Sequence, residues 1–289
     1  MPESPKRTEW VQRTLAFAIF TRRRFIRDKC LRAAASLSYT SLLALVPVAA
    51  IGFTVLSAFP VFAEFEEQIQ DFIFENLMPE TINAAQGYFN DFIDNASKMT
   101  VPGIIGLSIT AMLLLASVES ALNYIFRVTK NRRLASRLTM YWTIITLGPL
   151  LLGASFSLSS YFISFTQGGG GELMAGVAGR LIRALPAGLT MVAFSLFYIV
   201  VPNRPVRWWY AVLGGVVAGG LFSGLRWGFG IYLVYVPTYQ TIYGAVAIIP
   251  IFLVWMYMCW AVVLFGAEIV AALVDWEKVE TRLSSFQKI

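Results

Sequence analysis

Long apolar stretches, broken by short clusters of charge, constrain the fold of this chain more than any other feature. Apolar side chains make up 57% of the 289 residues, and only 14% of the residues are charged. Soluble domains have about 25% charged residues, and a helix that crosses a bilayer needs ~20 mainly apolar ones. The chain is therefore predicted to be an all-α polytopic membrane bundle. Its six predicted transmembrane helices cover residues 33–58, 103–126, 139–164, 181–201, 208–235 and 242–273.

The basic residues predict how the bundle is oriented. Lys and Arg are concentrated in the N-terminal segment and in the loops at 127–137 and 202–207, whereas the loop at 59–101 is acidic. Cytoplasmic loops carry the excess of Lys and Arg. We therefore predict a multi-pass protein of a bacterial inner membrane with both termini in the cytoplasm; only Arg180 and Arg183 disagree mildly. The predicted partners are membrane lipids and not nucleic acid, since no basic stripe interleaved with aromatic residues is present.

The predicted organisation has three parts. Residues 1–30 form a cytoplasmic amphipathic segment, residues 31–275 form the six-span membrane domain, and residues 276–289 form a cytoplasmic tail. Two amphipathic patterns in the acidic loop at 59–101 predict a periplasmic helical hairpin. The pattern over residues 5–28 fits a helix lying on the membrane surface and an ordinary packed N-terminal helix equally well.

Three ionised side chains fall inside predicted spans: Glu119, Arg226 and Glu268. A charge at the bilayer centre costs at least ~2.5–3.5 kcal/mol, so each is a candidate functional residue. Arg32, at the mouth of span one, is predicted to pair with Glu119 or Glu268, either as a structural ion pair or as a gate or ion-linked site. Arg226 lies ~25 Å across the membrane. It is expected either to face a periplasmic cavity suited to phosphate or carboxylate, or to reach back to the interface.

Prolines inside the spans suggest interrupted helices, whose freed carbonyls line cavities in transporters; tolerance for packing reasons alone is the alternative. Polar faces of spans one and six, taken with the charges, predict a set of cavity or substrate residues. The set is Arg32, Ser36, Tyr39, Pro47, Glu119, Asn123, Arg226, Tyr243, Pro250, Tyr257 and Glu268. Glycines at four-residue spacing over 215–228 predict tight packing within the chain or a homo-oligomer contact through span five.

The chain has no histidine, which excludes His-based metal sites and His acid–base catalysis. No metal, cofactor or catalytic residue is predicted, and the chain is expected not to be an enzyme. A membrane-embedded lipid enzyme is the least favoured alternative, because beyond Glu119 and Glu268 no reactive groups converge.

Five short motifs follow one another over about 30–275. They are Arg32–Tyr39 running to Leu45–Pro47, Ala121–Val128, Tyr198–Arg204, Ile242–Ala245 and Leu264–Glu268. In these motifs the chain resembles the YihY/BrkB family of bacterial membrane proteins, formerly labelled ribonuclease BN. The resemblance implies a six-span inner-membrane protein for which a transport role has been proposed. The ribonuclease label is not supported, because that activity needs metal ligands and the chain has neither histidine nor a soluble carboxylate cluster.

The leading functional prediction is a transporter, or a flippase-like handler, of an amphipathic, anionic or lipid-linked substrate. No nucleotide-binding motif is visible, so the energy would come from a gradient or a partner. The alternative is a non-transporting scaffold or envelope-assembly factor that docks through the periplasmic hairpin.

Overall fold

The computed structural model describes residues 5–57, 101–130, 132–144, 187–235 and 248–286, and in these ranges all regular secondary structure is α-helical. Seven helices are present in the described residues. They are α1 Pro5–Arg27, α2 Cys30–Ser57, α3 Val101–Ile125, α4 134–144, α5 Ala187–Val200, α6 Trp208–Tyr235 and α7 Ile248–Phe286.

Three described segments are long and apolar enough to cross a membrane: Ile105–Ile125 in α3, Trp208–Tyr232 in α6 and Ile249–Trp276 in α7. Shorter apolar segments form Cys30–Leu45 in α2 and Ala187–Val200 in α5. The prediction of an all-helical membrane protein is therefore confirmed. The count of six spans stays a prediction, because spans one, three and four are only partly described. The hairpin predicted for 59–101 falls almost wholly outside the described residues.

Helix α7 is the centre of the described bundle, since it packs against α1, α2, α3 and α6. Helix α2 also packs against α1 and α3. Small side chains lie where these helices meet, and Ala34, Ala218 and Ala267 have no exposed surface. Alanines at such contacts let the backbones approach closely, which is how membrane helices associate without a hydrophobic driving force between them.

A close approach between α5 and α7 explains the glycine of the motif Leu264–Glu268 through packing alone. The buried Tyr198 hydroxyl on α5 donates a hydrogen bond of 2.8 Å to the carbonyl of Val263 on α7. A Cβ atom at Gly266 would overlap the Tyr198 side chain and the methyl group of Ala218. Glycine at 266 thus allows α5, α6 and α7 to meet. Glu268 lies two residues later on α7, just beyond this contact.

The glycines of α6 fall on two different faces. A Cβ at Gly215 would lie 2.7 Å from the backbone oxygen of Met191, so this face packs against α5. Gly220, Gly224 and Gly228 have no side-chain or neighbouring backbone atom within 4 Å of such a Cβ. The first glycine face therefore serves packing inside the chain. The homo-oligomer contact stays a prediction, and it now concerns the second face.

Helix α1 packs on the bundle rather than standing apart from it. Phe17 and Phe20 contact Trp276 edge to face at centroid distances of 5.9 and 5.5 Å, and Phe25 contacts Phe265 at 5.5 Å. Other apolar side chains of α1 remain exposed, among them Leu15 at 61%. The helix predicted over 5–28 is thus confirmed and docked on one face. Helix α7 continues to Phe286, so most of the predicted tail prolongs the last span as helix.

Candidate functional site

Three loops and the end of α7 meet at one end of the bundle. The α1–α2 turn contacts the end of α3 through Asp28 and Arg127. The segment after α3 contacts the loop before α6 through Arg132 and Asn203. The same loop reaches α7 through Arg204 and Asp275. The basic segments that were predicted to share one membrane side therefore do lie together, while the identity of that side stays a prediction.

Arg24 on α1 lies at the centre of this end, although only 4% of it is exposed. Its Nε donates to Glu268 at 3.1 Å and its Nη1 donates to Asp275 at 2.5 Å. Its Nη2 donates to the carbonyl of Ile125 at 3.1 Å, which satisfies one of the free carbonyls at the end of α3. The Cys30 thiol donates to the other oxygen of Glu268 at 3.5 Å. One guanidinium thus joins α1, α3 and α7.

A second ion pair, between the buried Asp28 and the exposed Arg127, links the turn after α1 to the end of α3. Both oxygens of Asp28 accept from Nη2 of Arg127, at 2.6 and 2.7 Å. Lys29 and Arg127 adopt left-handed backbone conformations, with φ of 53° and 55°; these cost side-chain-bearing residues ~1–2 kcal/mol each. Burial disfavours the charged form of Asp28. The hydrogen bonds and the positive charge of Arg127 favour the charged form, and the pKa of Asp28 lies below its ordinary value.

A third buried carboxylate lies in span two. Glu119 is 1% exposed and accepts from Nε of Arg137 at 2.9 Å and from the Tyr141 hydroxyl at 2.5 Å. The side chain of Asn123, one turn later on α3, donates to the other oxygen of Glu119 at 3.4 Å. Arg137 also donates to the Tyr141 hydroxyl at 3.1 Å. Helix α4 therefore supplies both strong partners of a charge that is embedded in α3.

Asn123 and Asn203 tie the charged groups to the loop before α6. The backbone amide of Asn203 donates to the side-chain oxygen of Asn123 at 2.8 Å, and the Asn203 side chain donates to the carbonyl of Lys130 at 2.8 Å. Nε of Arg132 donates to the Asn203 side-chain oxygen at 3.1 Å, and its Nη2 donates to the carbonyl of Val200 at 3.0 Å. These bonds fix the Arg132 guanidinium in one orientation.

The site joins four arginines to four carboxylates, and the exposed Arg27 adds a longer pair to Asp28 at 3.5 Å. Arg204 donates to Asp275 at 2.9 Å and to the carbonyl of Phe126 at 2.8 Å, which completes the set. The four arginines are Arg24, Arg127, Arg137 and Arg204, and the four carboxylates are Asp28, Glu119, Glu268 and Asp275. We call these eight side chains the charge network.

An open cavity of about 610 Å³ lies beside the charge network. Four basic side chains line it, and Asp275 is its one acidic lining residue. The basic residues are Arg127, Lys130, Arg132 and Arg204. The cavity lies after the end of α3, before the start of α6 and beside Asp275, which is near the end of the apolar segment Ile249–Trp276 of α7.

The predicted pairing of Arg32 is wrong. Glu268 pairs with Arg24 and Glu119 pairs with Arg137, while Arg32 is exposed. The reason is the direction of α2, which turns Arg32 outward and places Cys30 beside Glu268 instead. Glu119, Glu268 and Asn123, which were predicted as cavity or substrate residues, all belong to the site; their role in a cavity stays a prediction.

The remaining predicted cavity residues are dispersed. Ser36 and Tyr39 are exposed on α2, Pro47 is buried inside the same helix, Pro250 is exposed in the first described turn of α7, and Tyr257 is half-buried. Arg226 is exposed on α6, and Tyr243 lies outside the described residues. In the described residues no hydrogen bond or ion pair joins Ser36, Tyr39, Pro47, Pro250 or Tyr257 to the charge network. A role in a cavity stays a prediction for all seven residues.

Sequence reasoning missed most partners of the two glutamates, because it searched inside the spans. Arg24, Asp28, Arg137, Tyr141 and Asp275 all lie just beyond a span or in its first residues. One signal was available: Asp28 is the lone acid in the basic segment 22–29. Within the described ranges, no group of three or more His, Cys, Asp or Glu side chains is placed to hold a metal ion.

The fold and the site define a polytopic α-helical membrane protein with a buried charge network at one end of its bundle. The sequence matches the family described as Virulence factor BrkB over residues 21–287. The chain belongs to this family, as its motifs indicated. Three of those motifs meet in the site, since they supply Asn123 and Arg127, Asn203 and Arg204, and Glu268.

Relatives of this chain are described as UPF0761 membrane proteins. One from Alkalilimnicola ehrlichii is 43% identical over 274 residues, which cover 95% of this chain and 62% of that protein. One from Photobacterium profundum is 42% identical over 279 residues, or 96% of this chain and 86% of that protein. The chain thus spans about six tenths of some relatives, including 61% of one from Nitrosospira multiformis, and most of others. No solved structure matches the chain.

Proposed function

We propose that this chain is a transporter, or a flippase-like handler, of an amphipathic or lipid-linked anion. In this proposal it crosses a bacterial inner membrane six times with both termini in the cytoplasm, and the charge network lies at the cytoplasmic end. It acts without a catalytic residue of its own.

The observation that carries the proposal is the burial of Glu119 and Glu268 inside long apolar helices. Glu268 has no exposed surface, and each carboxylate is matched by an arginine from a neighbouring helix. A buried ion pair is a weak source of stability, because the cost of removing two charges from water offsets their attraction. Ionised groups in membrane spans more often mark substrate or ion pathways. The pairs are therefore better explained by a functional role than by stability alone.

Asp275 and Arg24 each bind more than one partner, and this offers a way for the charge network to change its arrangement. Asp275 accepts from both Arg24 and Arg204, and Arg24 also donates to Glu268. An anion that binds Arg204 competes with Asp275. Losing that bond leaves Asp275 with Arg24 alone, which loosens the contact between the loop before α6 and α7. Anion binding would thus be coupled to opening of this end, as alternating access requires.

The experiment uses the purified full chain in proteoliposomes of phosphatidylcholine that contain a fluorescent phosphatidic acid. Movement of the fluorescent lipid between leaflets is followed by quenching from outside. We expect the wild-type chain to exceed protein-free liposomes and Glu268→Gln to be slower. Arg23→Gln is the matched control, because Arg23 is exposed and adjoins Arg24 on α1. Equal rates for wild type and protein-free liposomes, or for wild type and Glu268→Gln, contradict the proposal.

Opening can be followed at Cys30, which is 1% exposed beside Glu268. In a Cys259→Ser background, a membrane-impermeant maleimide should label Cys30 slowly, and added phosphatidic acid should speed the labelling. Labelling that is unchanged by the lipid would separate the charge network from any opening step.

A further inference from the structure

We propose that the basic cavity beside the charge network is a binding site for a phosphate group. Neither the family description nor the relatives assign such a site. The proposal deepens the transport function and rests on it for the place of the site in a transport cycle, but the binding itself is measurable without flux.

The first argument is the excess of positive charge. Of the four basic lining residues, Arg127 is matched by Asp28 and Arg204 by Asp275. In the part of the chain that the structure describes, neither Lys130 nor Arg132 pairs with a carboxylate. Two cations therefore face the cavity without an acidic partner there, and an anion entering it would meet their uncancelled charge.

The second argument is preorganisation. Arg132 is held by the Asn203 side chain and by the carbonyls of Val200 and Pro202, at 3.1, 3.0 and 3.3 Å. A guanidinium fixed in this way loses little entropy when it binds an anion. Its Nε and Nη2 groups are already used, so Nη1, which also contacts the Met140 sulfur, is the nitrogen left to donate to a phosphate oxygen. Lys130 is exposed at the cavity, where its flexible ammonium can reach a second phosphate oxygen.

The third argument concerns the source of the phosphate. The volume of about 610 Å³ holds far more than one inorganic ion and falls in the range of pockets for small organic ligands, ~300–1,000 Å³. Trp208 and Trp209 begin α6 next to the lining loop and are exposed, as aromatic residues at the membrane interface are. The cavity therefore lies at headgroup level. A lipid phosphate and the phosphate of a soluble metabolite are recognised by the same chemistry.

The experiment measures binding to the full chain in phosphatidylcholine nanodiscs by calorimetry. One arm titrates inorganic phosphate and glycerol 3-phosphate. The other arm adds short-chain phosphatidic acid. Saturable binding in either arm is expected, and Lys130→Gln should weaken it about tenfold, because one charge-assisted hydrogen bond is lost. The Lys130 ammonium has no partner among the described residues, so thermal stability should not change.

Arg133→Gln is the matched control, because Arg133 is an exposed base three residues from Lys130 that does not line the cavity. It should bind like wild type. Saturation only by phosphatidic acid identifies a headgroup site, and equal saturation by glycerol 3-phosphate identifies a soluble ligand. Absence of binding in both arms, or equal weakening by Lys130→Gln and Arg133→Gln, overturns the site. Binding without lipid movement refutes transport alone, and lipid movement without binding refutes the site alone.

Discussion

Removal of the Arg24 side chain tests whether the charge network holds this end of the bundle together. Arg24→Met keeps the length and the apolar stem of the side chain but removes the guanidinium. Glu268, with no exposed surface, is then left with the weak Cys30 thiol and the neighbouring carboxyl of Asp28. Asp275 keeps its bond to Arg204.

The expected loss follows from the burial of the stranded charge. Breaking a buried ion pair by removing one partner costs ~3–5 kcal/mol, because the remaining charge is uncompensated. The lost hydrogen bond to the Ile125 carbonyl adds ~1 kcal/mol. In Arg24→Met/Glu268→Gln the stranded charge is gone as well. The double variant should therefore be more stable than the sum of the single effects predicts, by at least ~1–3 kcal/mol.

The assay is unfolding in mixed micelles by increasing dodecyl sulfate, followed by fluorescence of the eight tryptophans. Arg23→Met is the matched control, since Arg23 is exposed on the same turn of α1, and it should behave like wild type. Two outcomes refute the reasoning. One is a loss in Arg24→Met no larger than in Arg23→Met, and the other is additivity of the Arg24 and Glu268 substitutions within ~0.5 kcal/mol.

Three further predictions concern other contacts. The pKa of Asp28 is lowered in the folded chain, so its pair with Arg127 stabilises the fold at pH values above the unfolded pKa of about 3.9, and this stabilisation is lost as the pH falls below that value. The stability difference between wild type and Asp28→Asn should therefore shrink on acidification from pH ~5 to ~3, and a constant difference would contradict this. Gly215→Ala should destabilise the folded chain by ~1–3 kcal/mol, because the added methyl group overlaps α5. Gly224→Ala should be neutral or stabilising by up to ~1 kcal/mol in the same unfolding assay, and equal effects of the two substitutions would disprove the two-face assignment. Tyr198→Phe should cost ~0.5–1.5 kcal/mol, because its buried hydroxyl bonds a carbonyl of α7, and unchanged stability would show that this bond contributes nothing.

The membrane class was predictable because it depends only on the length and composition of apolar stretches. The helix over 5–28 was predictable for a similar reason, since the helical spacing of its apolar residues is a local feature of the sequence. Whether α1 lies on lipid or packs on α7 was not predictable, because that depends on which residues of α7 face it. The contact of Phe17 and Phe20 with Trp276 involves chain segments more than 250 residues apart, and no local pattern encodes it.

The site was predictable only as far as single residues are concerned. Glu119 and Glu268 stand out because ionised groups are rare in apolar stretches. Their partners do not stand out, because Arg24 and Arg137 lie in basic segments that contain several other arginines. The choice of Arg24 rather than Arg32 depends on the left-handed turn at Lys29, which sets the direction of α2. A positive φ at a lysine has no signature in the sequence.

The bond between Arg24 and Glu268 joins residues 244 positions apart, and so it bears on how the chain is assembled in a cell. Arg24 leaves the ribosome long before the helix that carries its acceptor. Until α7 has inserted, α1 lacks its main packing partner. Docking of α1 is therefore a late step of biogenesis, since it becomes possible only when the last helix has taken its place. An unfinished chain would display an undocked basic helix, which membrane proteases and chaperones can distinguish from the completed protein.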